Sequence, residues 1–447
     1  MTALGLCREL VEAQKRGVPR GVASICSAHP AVLRAAMAHG AAEGQPVLIE
    51  STVNQVNQFG GYTGMTPGDF RSFLDRLAGE AAFPAGDVLL GADHLGPYPW
   101  RKAAAEEAMA KACELAAACV RAGYRKIHLD ASMPLGDDAT AAGGAIPPPL
   151  IAQREAALAE AAERALEGLG SAAPPVYVIG TDVPSPGGTL EEEGIHVTPP
   201  AELRETFESC REAFHRRGLD SAWDRVLAVV VQPGVEFGDH AIHPYRPERA
   251  RQLCAEARKL PGTVLEGHST DYQSRRSLRE LVGDGVAILK VGPALTFAMR
   301  EALFSLEHVE EELCGRRFSG ELSRLGAELE AEMLADPAHW QGYYRGDEAQ
   351  LRLARRYSLS DRCRYYWGAP RVAAAIRRLL ANLGGRAIPL TLVSQYFPHL
   401  HPEVREGPLV PSPESLIAAS IQRVLADYSQ AVRPGSGARR EGTGPRR

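Results

Sequence analysis

Short, β-branched apolar runs recur along this chain, each followed by a longer Ala-, Leu-, Glu- and Arg-rich stretch whose apolar positions return every three or four residues. The runs are Gly21 to Ser27, Val47 to Thr52, Val88 to Asp93, Lys126 to Ser132, Val176 to Asp182, Val226 to Gln232, Val264 to His268 and Val286 to Val291. They are nearly continuous in apolar character, as expected of strands covered on both sheet faces. The stretches with helical period include Ala31 to Ala41, Pro67 to Ala78, Ala103 to Ala122, Leu150 to Leu166, Pro200 to Arg217, Pro247 to Lys259, Ser274 to Val282 and Thr296 to Leu306. Residues 3 to 18 add an amphipathic helix, ended by Gly17-Val18-Pro19. Strand and helix alternating eight times within roughly 300 residues predicts a closed (β/α)8 TIM barrel over residues 1–308. The competing open, doubly wound sheet would usually carry a Gly-x-Gly-x-x-Gly turn after its first strand, and Gly21 to His29 has none.

From about Val309 the alternation stops. Residues 309–335 and 346–384 are charged with a helical period, and Pro413 to Ser429 reads as a further helix, so residues 309–430 form a helical extension packed on the barrel. Residues 431–447 are rich in Gly, Pro and Arg and are expected to be disordered.

Composition narrows the picture without redirecting it. The chain is 45% hydrophobic and 23% charged, with a formal net charge of −5, which gives no footprint for nucleic acid. No stretch approaches the roughly 20 apolar residues that span a bilayer, and the N-terminus mixes charge with apolar residues, unlike a signal peptide. A cytoplasmic protein is expected. The eight cysteines are scattered with no Cys-x-x-Cys pair, so they are read as reduced thiols.

In a barrel of this kind the reactive groups lie at the C-terminal ends of the strands. Those ends here are all polar. The second run closes on Glu50 and a loop containing Asn57, Gln58, Gly60 and Gly61, suited to a polyhydroxylated or phosphorylated ligand. The third ends in Asp93-His94, the fourth in His128-Leu-Asp130, the fifth in Asp182, the sixth in Gln232 and Glu236, the seventh in Glu266-Gly-His268 and the eighth in Lys290. His94 and His268 can converge across the mouth with a carboxylate from a strand between them, the ligand set of a catalytic Zn²⁺ or Mn²⁺. Glu50, Asp93, Asp130, Asp182 and Glu236 are then candidate proton carriers or supports for the imidazoles. Lys290 could form a Schiff base with a ketose or neutralise the carboxylates or a phosphate; the second role is preferred because a metal makes an imine redundant.

The runs Val47 to Met65, Gly91 to Pro97, Lys126 to Ser132, Val231 to Phe237, His268 to Gln273 and Leu289 to Phe297 closely resemble the tagatose-bisphosphate aldolase Z-subunit family. Matches at Tyr357 to Arg362, Tyr365-Tyr-Trp367 and Leu392 to Pro398 carry the resemblance from about residue 20 to residue 425. It implies a barrel related to class II, metal-dependent ketose-bisphosphate aldolases, in which an Asp-His pair supplies a base and a ligand and a later His supplies another ligand. Asp93, His94 and His268 look like those positions. Gln232 stands where those aldolases carry a further His, and Gly267-His268-Ser269-Thr270 replaces their glycine-rich phosphate loop.

The resemblance admits three activities: a C4 epimerase of tagatose and fructose phosphates, a non-catalytic subunit supporting a class II aldolase, or a class II aldolase itself. The crowd of polar groups at the mouth favours the epimerase. On that reading His94, His268 and Asp182 (or Glu236) hold the metal, while Asp93 and Glu50 or Glu236 move protons. Asn57, Gln58, Gly61, Asp130, Gln232, Lys290 and Arg362 contact substrate. The expected partners are a phosphorylated ketohexose, a second copy of the chain and, for the subunit reading, a class II aldolase catalytic subunit.

Overall fold

The computed structural model of the chain describes residues 2–139, 146–170, 172–180, 195–315 and 320–433. Eight parallel strands close into a barrel: β1 (Val22–Ile25), β2 (Val47–Thr52), β3 (Val88–Leu95), β4 (Lys126–Leu129), β5 (Val176–Ile179), β6 (Val226–Val231), β9 (Val264–Gly267) and β10 (Val286–Val291). A two-residue antiparallel pair, β7 (Glu236–Phe237) and β8 (Ile242–His243), sits between β6 and β9 in the chain. The order around the barrel is β1-β10-β9-β6-β5-β4-β3-β2. Helices separate consecutive barrel strands, and the chain is a (β/α)8 TIM barrel with C-terminal helices, as its apolar runs predict.

Local chemistry explains where the helices begin. Pro30, Pro67, Pro148, Pro200, Pro247 and Pro293 each stand in the opening positions of a barrel helix, where the missing N–H costs nothing and the fixed φ suits the helix. The first helix, Ala3–Lys15, does not join the outer ring. Its Leu6, Cys7, Leu10 and Val11 pack against Leu48, Leu89, Val176, Leu227 and Val264 and close the N-terminal end of the barrel.

The extension shares its core with the outer ring, Leu325, Trp340, Leu379 and Leu416 belonging to the same apolar cluster as Leu33 and Leu303. The last helix, Pro413–Val432, returns to the barrel, where the Gly21 N–H donates to the Val432 carbonyl (2.9 Å) and the Tyr428 hydroxyl to the Thr270 carbonyl (2.7 Å). The helix therefore runs two residues into the stretch expected to be a disordered tail; residues 434–447 lie outside the described residues. Among the described residues no helix is long and apolar enough to cross a membrane.

One buried group outside the mouth is poised to titrate. Glu155, between helices Pro148–Glu167 and Pro200–Arg216, is fully buried, accepts a hydrogen bond from the Cys210 thiol (3.0 Å) and is pushed by burial up to about 8. Below the ordinary carboxyl range both folded and unfolded chains carry its proton. As pH rises toward 8 only the unfolded chain loses it, so stability falls by roughly 1.4 kcal/mol per pH unit. Replacing Glu155→Gln is expected to raise stability relative to the native chain more at pH 8 than at pH 5, read from urea unfolding midpoints; an equal difference at both would mean the carboxyl is ionised and paired in the fold.

Candidate active site

Residues two apart on a strand share a face, and on the barrel's inner face that spacing stacks charge in the middle of the chain's most buried space. Lys126 Nζ lies 2.8 Å from Glu50 Oε1 and 2.7 Å from Glu266 Oε2. Lys290 Nζ lies 2.7 Å from Glu50 Oε2, 2.9 Å from Asp93 Oδ1 and 3.3 Å from Glu266 Oε1. All five residues are buried. Burial opposes charge on Asp93, Glu266, Lys126 and Lys290, but the partners outweigh it. Lys290, His94 and the His128 hydrogen bond hold Asp93 well below the usual carboxylate range, Lys126 and Lys290 do the same for Glu266, and the carboxylates hold both lysines above the usual ammonium value.

Three imidazoles cap this layer, with ring centroids 5.3 Å apart for His94 and His128, 4.9 Å for His94 and His268, and 5.1 Å for His128 and His268. A bulge brings Asp93 and His94 to the same cavity although they are adjacent in a strand. Ala92 pairs with Ile127 but Leu95 with Leu129, so three steps on β3 face two on β4. His94 takes the left-handed φ of 50° there. Its peptide nitrogen lies 3.2 Å from His128 Nδ1, which also faces Asp93 Oδ1 at 3.2 Å, and its ring Nδ1 lies 2.9 Å from Asp130 Oδ2. Burial works against an imidazolium at His94, but Asp93 and Asp130 raise its pKa nonetheless. Burial pushes His268, whose Nε2 is 3.1 Å from Glu266 Oε1, down to about 4, so it is neutral at pH 7.

One donor atom each from Asp93, His128, Glu266 and His268 lies within 4.8 Å of the others, and His128 Nε2 is buried without a hydrogen-bond partner. Two imidazoles and two carboxylates form a donor set that fits a divalent ion of the Zn²⁺ or Mn²⁺ kind. Of the ligands expected from sequence, His268 belongs to this foursome. His94 stands beside it with its Nδ1 engaged by Asp130, and Asp182 lies outside the described residues.

Above the imidazoles is a cavity of about 110 Å³ whose wall includes Asn54, Gln55, Tyr62, Ser269, Arg364 and Tyr365. The loop after β2 is shaped by Asn57, which accepts from the Phe59 and Gly61 N–H groups and donates to the Val53 carbonyl. Gly61, at φ 57°, is required there, since a Cβ would fall 2.4 Å from the Gln55 carbonyl oxygen. Asn57 thus holds the loop and presents Asn54 and Gln55 to the cavity, while Gln58 reaches the Lys111 carbonyl. The arm over the mouth comes from the extension: Ser358 and Ser360 hydroxyls donate to Asp239 Oδ1 (both 2.9 Å) and the Tyr272 hydroxyl donates to the Leu359 carbonyl (2.6 Å).

Among the sequence-predicted residues, the cavity gathers Asp93, His94, His268 and Lys290. Glu50 lies beneath them, bound to both lysines and to the Ser24 hydroxyl. Asp130 orients His94 and holds Ser132. Gln232 accepts from the Gly234 and Val235 N–H groups and shapes its own turn. Glu236 accepts from the Phe237 N–H, and burial raises it to about 7. Arg362 is buried with its guanidinium over the Tyr343 ring, its Nε donating to the His339 carbonyl. From sequence alone, His128, Glu266, Lys126, Arg364 and Tyr365 receive no site role. The first three had a readable signal, an ionisable residue inside an apolar run at even spacing from its end; the last two had none, because they reach the mouth from a remote helical segment.

The family described as D-tagatose-1,6-bisphosphate aldolase subunit GatZ/KbaZ-like matches residues 7–433. A crystal structure from Sinorhizobium meliloti 1021, named a "probable tagatose 6 phosphate kinase", is 45% identical, covers 92% of this chain and 100% of its own, and superposes with a TM-score of 0.84. The YdjI aldolase of Escherichia coli K12 (13% identical, 80% of this chain and 94% of its own, TM-score 0.39) and the fructose-bisphosphate aldolase of Campylobacter jejuni (14%, 86% and 93%, TM-score 0.42) are more distant matches.

The charge layer makes two outcomes measurable. Lys126→Met leaves two buried carboxylates short of a counter-ion and is expected to cost about 3–5 kcal/mol in urea unfolding; a cost near zero would mean the layer is hydrated and weakly coupled. His128→Ala and His268→Ala are each expected to weaken Zn²⁺ binding at least tenfold by competition with a chromogenic chelator, with His94→Ala weakening it less.

Proposed function

Because the chain belongs to the D-tagatose-1,6-bisphosphate aldolase subunit GatZ/KbaZ-like family, we propose that it inverts C4 of a phosphorylated ketohexose, interconverting tagatose and fructose phosphates. The observation that carries this reading is Asp93, an ionised carboxylate on the floor of an open cavity beside neutral His268 and the cation Lys290. Both the family description and the name of the Sinorhizobium meliloti protein refer to a tagatose phosphate, which supports the substrate class.

The C4–H bond is not acidified by a carbonyl at C2, but the C4 hydroxyl is β to that carbonyl, so inversion fits reversible aldol cleavage. Asp93 Oδ1 is engaged by Lys290 and His128, leaving Oδ2, near the Cys26 thiol (3.5 Å) and His94 Nε2 (3.8 Å), to take the hydroxyl proton. The C3–C4 bond then breaks, its electrons passing to the C2 carbonyl side. The aldehyde fragment turns, the bond re-forms on the other face, and Asp93 returns the proton. His128, Glu266 and His268, with Asp93 beside them, would hold a divalent ion, Zn²⁺ or Mn²⁺, which would polarise the C2 carbonyl when bound. Lys126 stays paired with Glu266, and Lys290 beside Asp93 favours the ionised carboxylate from which the cycle starts and to which it returns.

The chain alone, supplied with Zn²⁺ or Mn²⁺, is expected to convert tagatose 6-phosphate or its 1,6-bisphosphate to the fructose counterpart without releasing triose phosphate. Triose release would make it an aldolase, and turnover only after addition of a class II aldolase catalytic subunit would make it a supporting subunit. Asp93→Asn should lower kcat by roughly 10²–10⁴-fold, measured at a temperature where the variant is still folded, since the change also removes a counter-charge from buried Lys290.

A further inference from the structure

The guanidiniums of Arg154, Arg225 and Arg355 each pair with a carboxylate, Asp138, Glu163 and Glu330 respectively. Arg364 has no carboxylate at ion-pair distance among the described residues and, unlike Arg362, faces solvent-accessible space. Its Nη1 donates to the Ser360 and Asp361 carbonyls and its Nη2 to the Tyr365 hydroxyl (2.9 Å). Five N–H groups are available on a guanidinium, so its Nε–H and a second Nη2–H have no partner among the described residues. They stand where two cavities meet: the one over Asp93, and a second of about 510 Å³ between the barrel and the extension, both bordered by Gln55, Tyr62, Arg364 and Tyr365.

The usual anion seat of such a barrel, at the helix that follows the last strand, is already filled. Asp271 Oδ1 accepts from the Gly292 N–H (3.0 Å) and the Ala294 N–H (2.8 Å) at the start of helix Pro293–Cys314, so the protein's own carboxylate sits where a phosphate would. An incoming phosphate must find its donors elsewhere, and Arg364 borders the same cavity as Asp271.

We propose that Arg364 anchors the phosphate: a phosphate monoester end of the ligand rests on its free N–H groups at the junction of the cavities, and the sugar extends down toward Asp93. The Tyr365 hydroxyl, which accepts from Arg364, keeps its own O–H to donate to the same anion. Hydrogen bonds from Ser358 and Ser360 to Asp239 tie the segment that carries the anchor to the barrel beside the mouth. This assignment rests on the reading of the ligand as a sugar phosphate, but its test needs no turnover.

Inorganic phosphate titrated calorimetrically into the full chain is expected to bind. Arg364→Gln should weaken it at least tenfold, Arg364→Lys by an intermediate factor, since a lysine restores the charge without the planar fork. Asp271→Asn, which keeps an acceptor for both N–H groups, should bind phosphate at least as tightly as the native chain. Native binding that is absent, or unchanged in a folded Arg364→Gln or, should that variant not fold, in Arg364→Lys, overturns the assignment, as does loss of binding in a folded Asp271→Asn. Phosphate held through Arg364 by a chain that fails to epimerise would refute the activity and leave the anchor standing.

Discussion

Three carboxylates and two ammonium groups share the centre of the barrel, and each would be expelled from it alone. Removing one charge from water costs several kcal/mol even after relaxation, so such groups persist in an interior only when their partners are in direct contact. Here every contact is made: Lys126 bridges Glu50 and Glu266, and Lys290 bridges Glu50, Asp93 and Glu266. Below the layer, the Ala3–Lys15 helix closes the barrel with apolar side chains and keeps water from the pairs. Above it, Lys290, with His94 and His128, keeps Asp93 ionised at the floor of the cavity. Stability of the centre and the charge of Asp93 at the mouth thus depend on one network.

The price of placing two consecutive residues at one mouth is visible at β3. A strand would send Asp93 and His94 to opposite faces; the bulge between Ala92 and Leu95 and the left-handed φ at His94 turn both to the cavity. A non-glycine residue held there costs about 1 kcal/mol or more and persists because its surroundings over-determine it. The His94 peptide N–H on His128 and its ring on Asp130 are those surroundings.

Barrel and extension divide the site between them. The barrel strands provide the floor, a charge layer and three imidazoles. The extension provides the roof, Arg364 and Tyr365, on a segment tied to Asp239 and Tyr272 and backed by a terminal helix that returns to β1 and the loop after β9. A barrel without the extension would keep Asp93 and the three imidazoles and lose the cationic edge facing them.

Much of this was legible in the chain itself. Strands buried on both faces must be continuously apolar, so all eight could be found, and polar groups interrupting their ends marked Asp93, His94, His268 and Lys290. Inward or outward direction was harder to read, because a strand covered on both faces shows no alternation. Lys126, His128 and Glu266 therefore carried no sign of direction in the sequence, and it is the barrel that turns them inward. Asn57, Gln58 and Gln232 have the same polar chemistry whether they meet a ligand or brace a loop, and only the backbone path shows that they brace. Arg362 and Arg364 are two residues apart in one segment. The turn over the mouth buries the first against Tyr343 and leaves the second facing the cavity, a choice set by how the extension docks some 270 residues after Asp93.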